Sequence, residues 1–259
     1  IPEAILKPSA GLPDLNVIRT DQKDNIPGRF ALWVRMLFSC LVDADFLDTE
    51  RFMNPESFAK RGKYDSLREL KSRFDLHMTE MSKIAPITTV NSIRSKILKD
   101  CVASGNLEPG FFSITVPTGG GKTLSSMAWA LVHALKYNKS RIIFAIPYTS
   151  IITQTAQIYR SIFGDDNVIE HHSNIDEDTN TQERKQAAEN WDAPIVVTTN
   201  VQLFESLFAN KTSRCRKLHN LVNSIIILDE AQLLPPEFLN PILIILKGLV
   251  DNYSISVLL

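Results

Sequence analysis

Glycine is scarce in this 259-residue sequence, ten in all, yet three of the ten are consecutive at Gly119, Gly120 and Gly121. Backbone freedom is thus concentrated at one place, where its entropic cost demands a reason. Cysteine is scarcer: Cys40, Cys101 and Cys215 stand far apart and odd in number. That spacing indicates neither a disulfide framework nor a cysteine zinc site and leaves three reduced, buried thiols as the expectation. None of the five histidines, His77, His133, His171, His172 and His219, is followed by aspartate. His171 and His172 are neighbours on an expected strand, where successive side chains point to opposite faces and do not easily share an ion. No apolar run approaches the ~18 residues of a membrane span. The first residues, IPEAILKPSAGLPDLNV, lack the basic start and apolar core of a signal peptide, so a cytoplasmic protein without membrane contact is expected. An excess of either charge is missing too: 28 Lys and Arg stand against 29 Asp and Glu, so no global field draws in nucleic acid. The sequence starts without methionine and stops in YSISVLL, and is expected to be cut at both ends.

What is present changes texture along the chain. Apolar residues recur at helical spacing through Leu32, Met36, Leu37, Cys40, Leu41 and Ala44, then Leu67, Leu70, Phe74 and Met81, then Val90, Ile93, Ile97 and Cys101. Pro86 ends the second of these helices, because its ring nitrogen has no proton to donate. Leu37, Phe38 and Leu41 are the expected packing face of the first. From Phe111 onward short apolar runs, FFSITV, RIIFAIP, NVIEHH, PIVVTT, SIIILDE and SISVLL, alternate with helical segments beginning near Lys122, Ser150, Glu177, Asn200 and Pro236. That alternation predicts an α/β fold with a parallel sheet and crossover helices. The acidic, amide-rich NIDEDTNTQERKQAAEN reads as a solvated helix and its lead-in loop.

The glycines sit in VPTGGGKT, between an apolar run and a helix. A glycine-rich turn at a helix N-terminus lets several unpaired amides point at one anion, which makes a phosphate nest. Thr118, Gly119, Gly120, Gly121 and Leu124 would contribute to the cradle. Lys122 would reach the β- and γ-phosphates of ATP, and the Thr123 hydroxyl would hold Mg²⁺. The strict pattern has glycine where this sequence has Val116. A second box, SIIILDEAQ, ends an apolar strand with two acids. Asp229 is placed to coordinate the metal and Glu230 to polarise the attacking water.

VPTGGGKT followed by DEAQ resembles motifs I and II of superfamily 2 helicases. In such motors Gln232 would face a second RecA-like domain and couple hydrolysis to movement. AIPYTSIITQTA resembles motif Ia, and VVTTNVQLFESLFAN resembles motifs Ib and Ic. With RCRKLHNLVNSIIILDEAQLLP, the set is similar to the CRISPR-associated helicase-nucleases of type I systems. That family combines an HD nuclease domain with a RecA-like P-loop motor and is recruited by a Cascade-type effector complex to unwind and degrade invading DNA. The resemblance implies the end of an HD domain over 1–60, a helical linker over 61–86, and the first RecA-like domain over 87–259, stopping before motif III. A fragment without the second motor domain is expected to be weakly active or inactive. The resemblance also places Asn91 and Arg94 beside adenine, and makes Asp45 a ligand of the nuclease's divalent transition metal, with Asp43 and Asp48 nearby. The missing His-Asp pair leaves that metal site incomplete. Another superfamily 2 motor acting on DNA or RNA, or a non-catalytic ATP-binding module, are the alternatives.

Single-stranded DNA is expected along Tyr148, Thr149, Ser150, Thr198, Thr199 and Asn200, at the carboxyl ends of two strands, where hydroxyls and amides grip phosphates without reading sequence. The same residue types also suit helix N-caps. The basic cluster Lys211, Arg214, Arg216 and Lys217 suits either a solvated loop or phosphate contact.

Overall fold

A computed structural model describes residues 28–59, 61–117, 119–172, 188–209 and 211–259. Its helices are α1 (Arg29–Met53), α2 (Pro55–Phe58), α3 (Leu67–Ile84), α4 (Thr89–Ser104), α5 (Lys122–Lys136), α6 (Thr149–Phe163), α7 (Asn200–Phe208), α8 (Thr212–Cys215) and α9 (Pro236–Tyr253). The strands are β1 (Phe111–Phe112), β2 (Arg141–Ile146), β3 (Val168–His171), β4 (Ile195–Thr199), β5 (Ser224–Leu228) and β6 (Ser256–Leu258). They form one six-stranded sheet in the order β1-β6-β5-β2-β4-β3. Every pairing is parallel.

The central strands are buried on both sides, as parallel strands under crossover helices must be. Alternate residues serve opposite layers. Ile142, Phe144 and Ile146 of β2 join Met127 and Leu131 of α5, Ile152 and Tyr159 of α6, and Leu70 and Phe74 of α3. Ile143 and Ala145 join Leu203 and Leu207 of α7, Leu246 and Leu249 of α9, and Leu32 and Met36 of α1. The result is a three-layer helix–sheet–helix sandwich.

Local chemistry sets the helix ends. Ser66 and Glu69 form a reciprocal capping box at the start of α3, and the extended Ala85 before Pro86 ends it. Thr88 caps α4 by accepting from the Asn91 amide at 3.2 Å, and Thr199 caps α7 by accepting from the Gln202 amide at 3.0 Å.

Helix α3, in the stretch expected as a helical linker, buries Leu67, Leu70 and Phe74 in the same cluster as the sheet. Two expectations change on α1: Cys40, expected to be buried, is exposed, and the packing face is a different one. Helix α1 does pack on the helical layer of α7 and α9, but through Leu32, Met36, Ser39, Val42 and Asp43. Leu37, Phe38 and Leu41 are exposed by 47%, 39% and 69%. The apolar residues of α1 span more than one face, so spacing alone leaves the choice of inner face open. Buried polar groups decide it. Asp43 accepts from Arg216 Nε at 2.8 Å and from Asn190 Nδ2 at 3.1 Å, Arg216 Nη1 reaches Glu189 at 2.7 Å, and the Ser39 hydroxyl meets His219 Nδ1 at 3.0 Å. The helix expected near Glu177 falls largely outside the described residues, which resume at Ala188.

Candidate nucleotide-binding site

All six strands point the same way, so the loops after β1, β2, β4 and β5 gather at one edge of the sheet. After β1 the chain keeps its place beside β6 through the Ile114 amide, which donates to the Leu259 carbonyl at 2.9 Å. It then turns through the glycines. Gly119 and Gly121 take left-handed φ values of 80° and 84°, which side chains rarely adopt. Gly120 is excluded from substitution by space, since a Cβ there would lie 2.3 Å from Val116 Cγ1 and 2.9 Å from the Pro117 carbonyl oxygen. The turn closes with the Gly120 amide donating to Pro117 O at 2.9 Å and the Ser125 amide to Gly121 O at 3.0 Å. Gly121 is the N-cap of α5, so the amides of the next residues have no acceptor within the helix. Val116, where the strict pattern has glycine, packs against this loop.

Strand β5 delivers the acids. Its pairing with β2 extends one step further, because the Asp229 amide donates to the Ala145 carbonyl at 2.9 Å. The next residue, Glu230, takes φ 50°, φ-positive geometry uncommon for a non-glycine residue. The two boxes meet: Lys122 Nζ lies 2.9 Å from Asp229 Oδ1 and 3.9 Å from Glu230 Oε1. The three side chains are all partly open to solvent. The exposed Gln232 donates from Nε2 to Glu230 Oε2.

A magnesium–nucleotide group fits this arrangement by its donor chemistry. A glycine turn with two left-handed residues and no room for a Cβ at Gly120, a helix N-terminus, one lysine, the hydroxyl-bearing Thr123 and two carboxylates are the hard-oxygen and anion-binding set such a group needs. Thr118 lies outside the described residues. Leu124 packs part-buried against the core.

Arg94 and Asn91 lie beside the same loop. Arg94 donates from Nε to the Gly119 carbonyl at 2.8 Å and from Nη1 to Asn91 Oδ1 at 3.2 Å, while Asn91 Nδ2 donates to Pro86 O at 2.9 Å. The guanidinium is thus held on the glycine turn itself.

The expected strand groove is reorganised. Tyr148, 52% exposed, is the N-cap of α6, followed by Thr149 and the exposed Ser150. Neither hydroxyl residue caps that helix. Thr199 and Asn200 are buried at the start of α7, where Thr199 is a cap. Thr198 is withdrawn from the groove: it has no exposed surface, and its hydroxyl donates to His171 O at 2.8 Å. Strand β4 is buried at every position, so neither of its faces opens to the groove.

The basic cluster divides. Arg216 and Lys217 are buried, one against Asp43 and the other over the Trp191 ring at 5.2 Å, and desolvation with the neighbouring Arg216 lowers the Lys217 pKa to about 8. Arg214 pairs with Glu205 at 2.6 Å, and Lys211 stays exposed. The adjacent histidines also part ways, His171 accepting from Trp191 Nε1 at 3.1 Å and His172 facing Glu170 at 3.0 Å.

The nuclease metal finds no assembled site, since among the described residues no three His, Cys, Asp or Glu come together to hold an ion. Asp45 is exposed on the outer side of α1, as is Asp48, whereas Asp43 is buried and fully engaged with Arg216 and Asn190. No described helix is long and apolar enough to cross a membrane.

Sequence reasoning missed Tyr159. It reads as one more apolar position on α6, yet its hydroxyl donates to the Thr123 carbonyl at 3.1 Å, inside the nucleotide loop's first helical turn.

The chain is 30% identical over 175 residues to the "CRISPR-associated nuclease/helicase Cas3" of Haloferax volcanii, covering 58% of this chain and 19% of that protein. Its fold is similar to that of T. fusca Cas3 solved with ADP, with a TM-score of 0.52 and 19% identity over 67% of this chain and 22% of the other. The chain therefore spans about a fifth of the length of each of these proteins. Residues 90–256 match the DEAD/DEAH box helicase model, and the chain belongs to that family.

Proposed function

We propose that this chain is the first motor domain of an ATP-dependent DNA helicase or translocase acting in type I CRISPR interference. The observation that carries the reading is the meeting of Lys122 with Asp229 and Glu230 at one end of a parallel sheet. The motor class follows from the family, and the CRISPR role rests on the likeness to the Haloferax protein.

In this reading the amides of residues 119–124 and Lys122 hold the phosphates of ATP, with Thr118 at the loop's start. Thr123 and Asp229 hold Mg²⁺, which when bound neutralises charge on the phosphates. Glu230 orients the attacking water, and Gln232, now resting on Glu230, is the group that faces a second motor domain. Arg94 and Asn91 bound the adenine side. Single-stranded DNA runs past Tyr148, Thr149 and Ser150 toward the Thr199–Asn200 turn, where the N-termini of α6 and α7 suit phosphate. Asp45 faces outward as one ligand of a nuclease site whose other ligands belong to the whole protein, together with the Cascade-type partner.

ATP turnover by the full-length protein, titrated with single-stranded DNA and RNA of equal length, tests this reading. Stimulation by DNA and not by RNA is expected. Stimulation by RNA alone would assign the chain to an RNA motor.

A further inference from the structure

We infer that Tyr159 is a positioning residue of the nucleotide site, holding Thr123 so that its hydroxyl is set for Mg²⁺. The inference rests on the ATP·Mg²⁺ reading above and adds a residue on a different helix. Tyr159 is fully buried on α6, with its ring against Phe144 at 5.6 Å and Phe163 at 6.0 Å. Phenylalanine would fill that space, and a buried hydroxyl is unfavourable unless it is bonded. This one donates to the Thr123 carbonyl at 3.1 Å. Burial, reinforced by the nearby Asp229 carboxylate, pushes the phenol well above the usual tyrosine range, so it stays a donor.

The same carbonyl receives the Ser126 hydroxyl at 3.1 Å. Two buried side-chain donors, one from α5 and one from α6, thus fix the peptide that follows Thr123. Glycine on one side gives this turn freedom; the two hydroxyls remove it on the other. The backbone at Thr123 is thereby held, and with it the direction in which its side chain leaves the helix. Groups that orient a metal ligand without touching the ion control affinity for it.

Calorimetric titration of ATP into the full-length protein, in EDTA and at graded Mg²⁺, tests this directly. Tyr159→Phe is expected to bind ATP in EDTA as the parent does. The Mg²⁺ concentration giving half of the affinity gain should rise by about tenfold, the lower end of the range seen for groups behind metal ligands. Ser126→Ala should shift it in the same direction. A merely structural tyrosine would lower the melting temperature and leave the Mg²⁺ dependence in place. Parental Mg²⁺ dependence in folded Tyr159→Phe overturns the inference, and if that variant does not fold, parental dependence in Ser126→Ala does so. Parental protein that binds no ATP at all overturns the nucleotide reading itself, and this inference with it.

Discussion

Lys122 Nζ and Asp229 Oδ1 are 2.9 Å apart, so the lysine that would bind phosphate is held by the acid that would bind the metal. Each neutralises the other until a ligand separates them. Asp229→Asn should therefore leave ATP affinity in EDTA unchanged or tighter, since the competing charge is gone. Turnover with Mg²⁺ should fall by roughly two orders of magnitude, the scale of losing one charge-stabilising group. Binding in EDTA by calorimetry and turnover by phosphate release measure the two effects.

Glu230→Gln preserves shape and can still meet Gln232, but an amide does not accept a proton from water. ATP binding should survive in the full-length protein while turnover drops by about 10²- to 10⁴-fold. Hydrolysis at the parental rate would mean that another group orients the water.

Asp43 and Arg216 are each 3% exposed in their side chains and 2.8 Å apart. Asp43→Ala leaves Arg216 buried with only the half-exposed Glu189 as its ionic partner, a loss near the lower end of the about 3–5 kcal/mol of breaking a buried pair. Asp43→Ala should lower the melting temperature by roughly 10 °C and loosen α1 from the sheet. Asp45→Ala, on the exposed side of the same helix, should leave it unchanged.

The fate of those two aspartates marks where sequence reading ends. Strand and loop were legible because their chemistry is local: SIIIL alternates between two cores, the glycine run has few other uses, and the two acids directly follow a buried strand. The inner face of α1 was not, because it is chosen by Arg216 and His219, more than 170 residues away in sequence. Thr198 suits the groove by residue type, but β4 is buried on both faces and its hydroxyl is taken by the His171 carbonyl. Arg94 lay near the site by family pattern, though its bond to Gly119 is visible only once α4 is folded against the loop.

Acid should destabilise the fold through His171. Burial, with Lys217 and His172 adding to it, lowers its pKa from 6.5 to about 3. The unfolded chain therefore takes up the proton first, and stability falls as pH drops below about 6.5. This group alone contributes a slope of up to about 1.4 kcal/mol per pH unit until about pH 3. Denaturant melts between pH 7 and pH 5 should show the loss, and His171→Gln, which keeps an acceptor for Trp191, should reduce it, leaving the part carried by His133 and His219, whose pKa values burial also lowers.

The central claim is that residues 119–124 and the acids at 229 and 230 form one nucleotide site. Calorimetry of Mg·ATP binding to the parental protein and to Lys122→Ala tests it most directly, because the methyl group cannot offset phosphate charge. One ATP bound per chain by the parent, and no detectable binding by the variant, is the predicted result. Equal affinity in the two proteins would contradict the account.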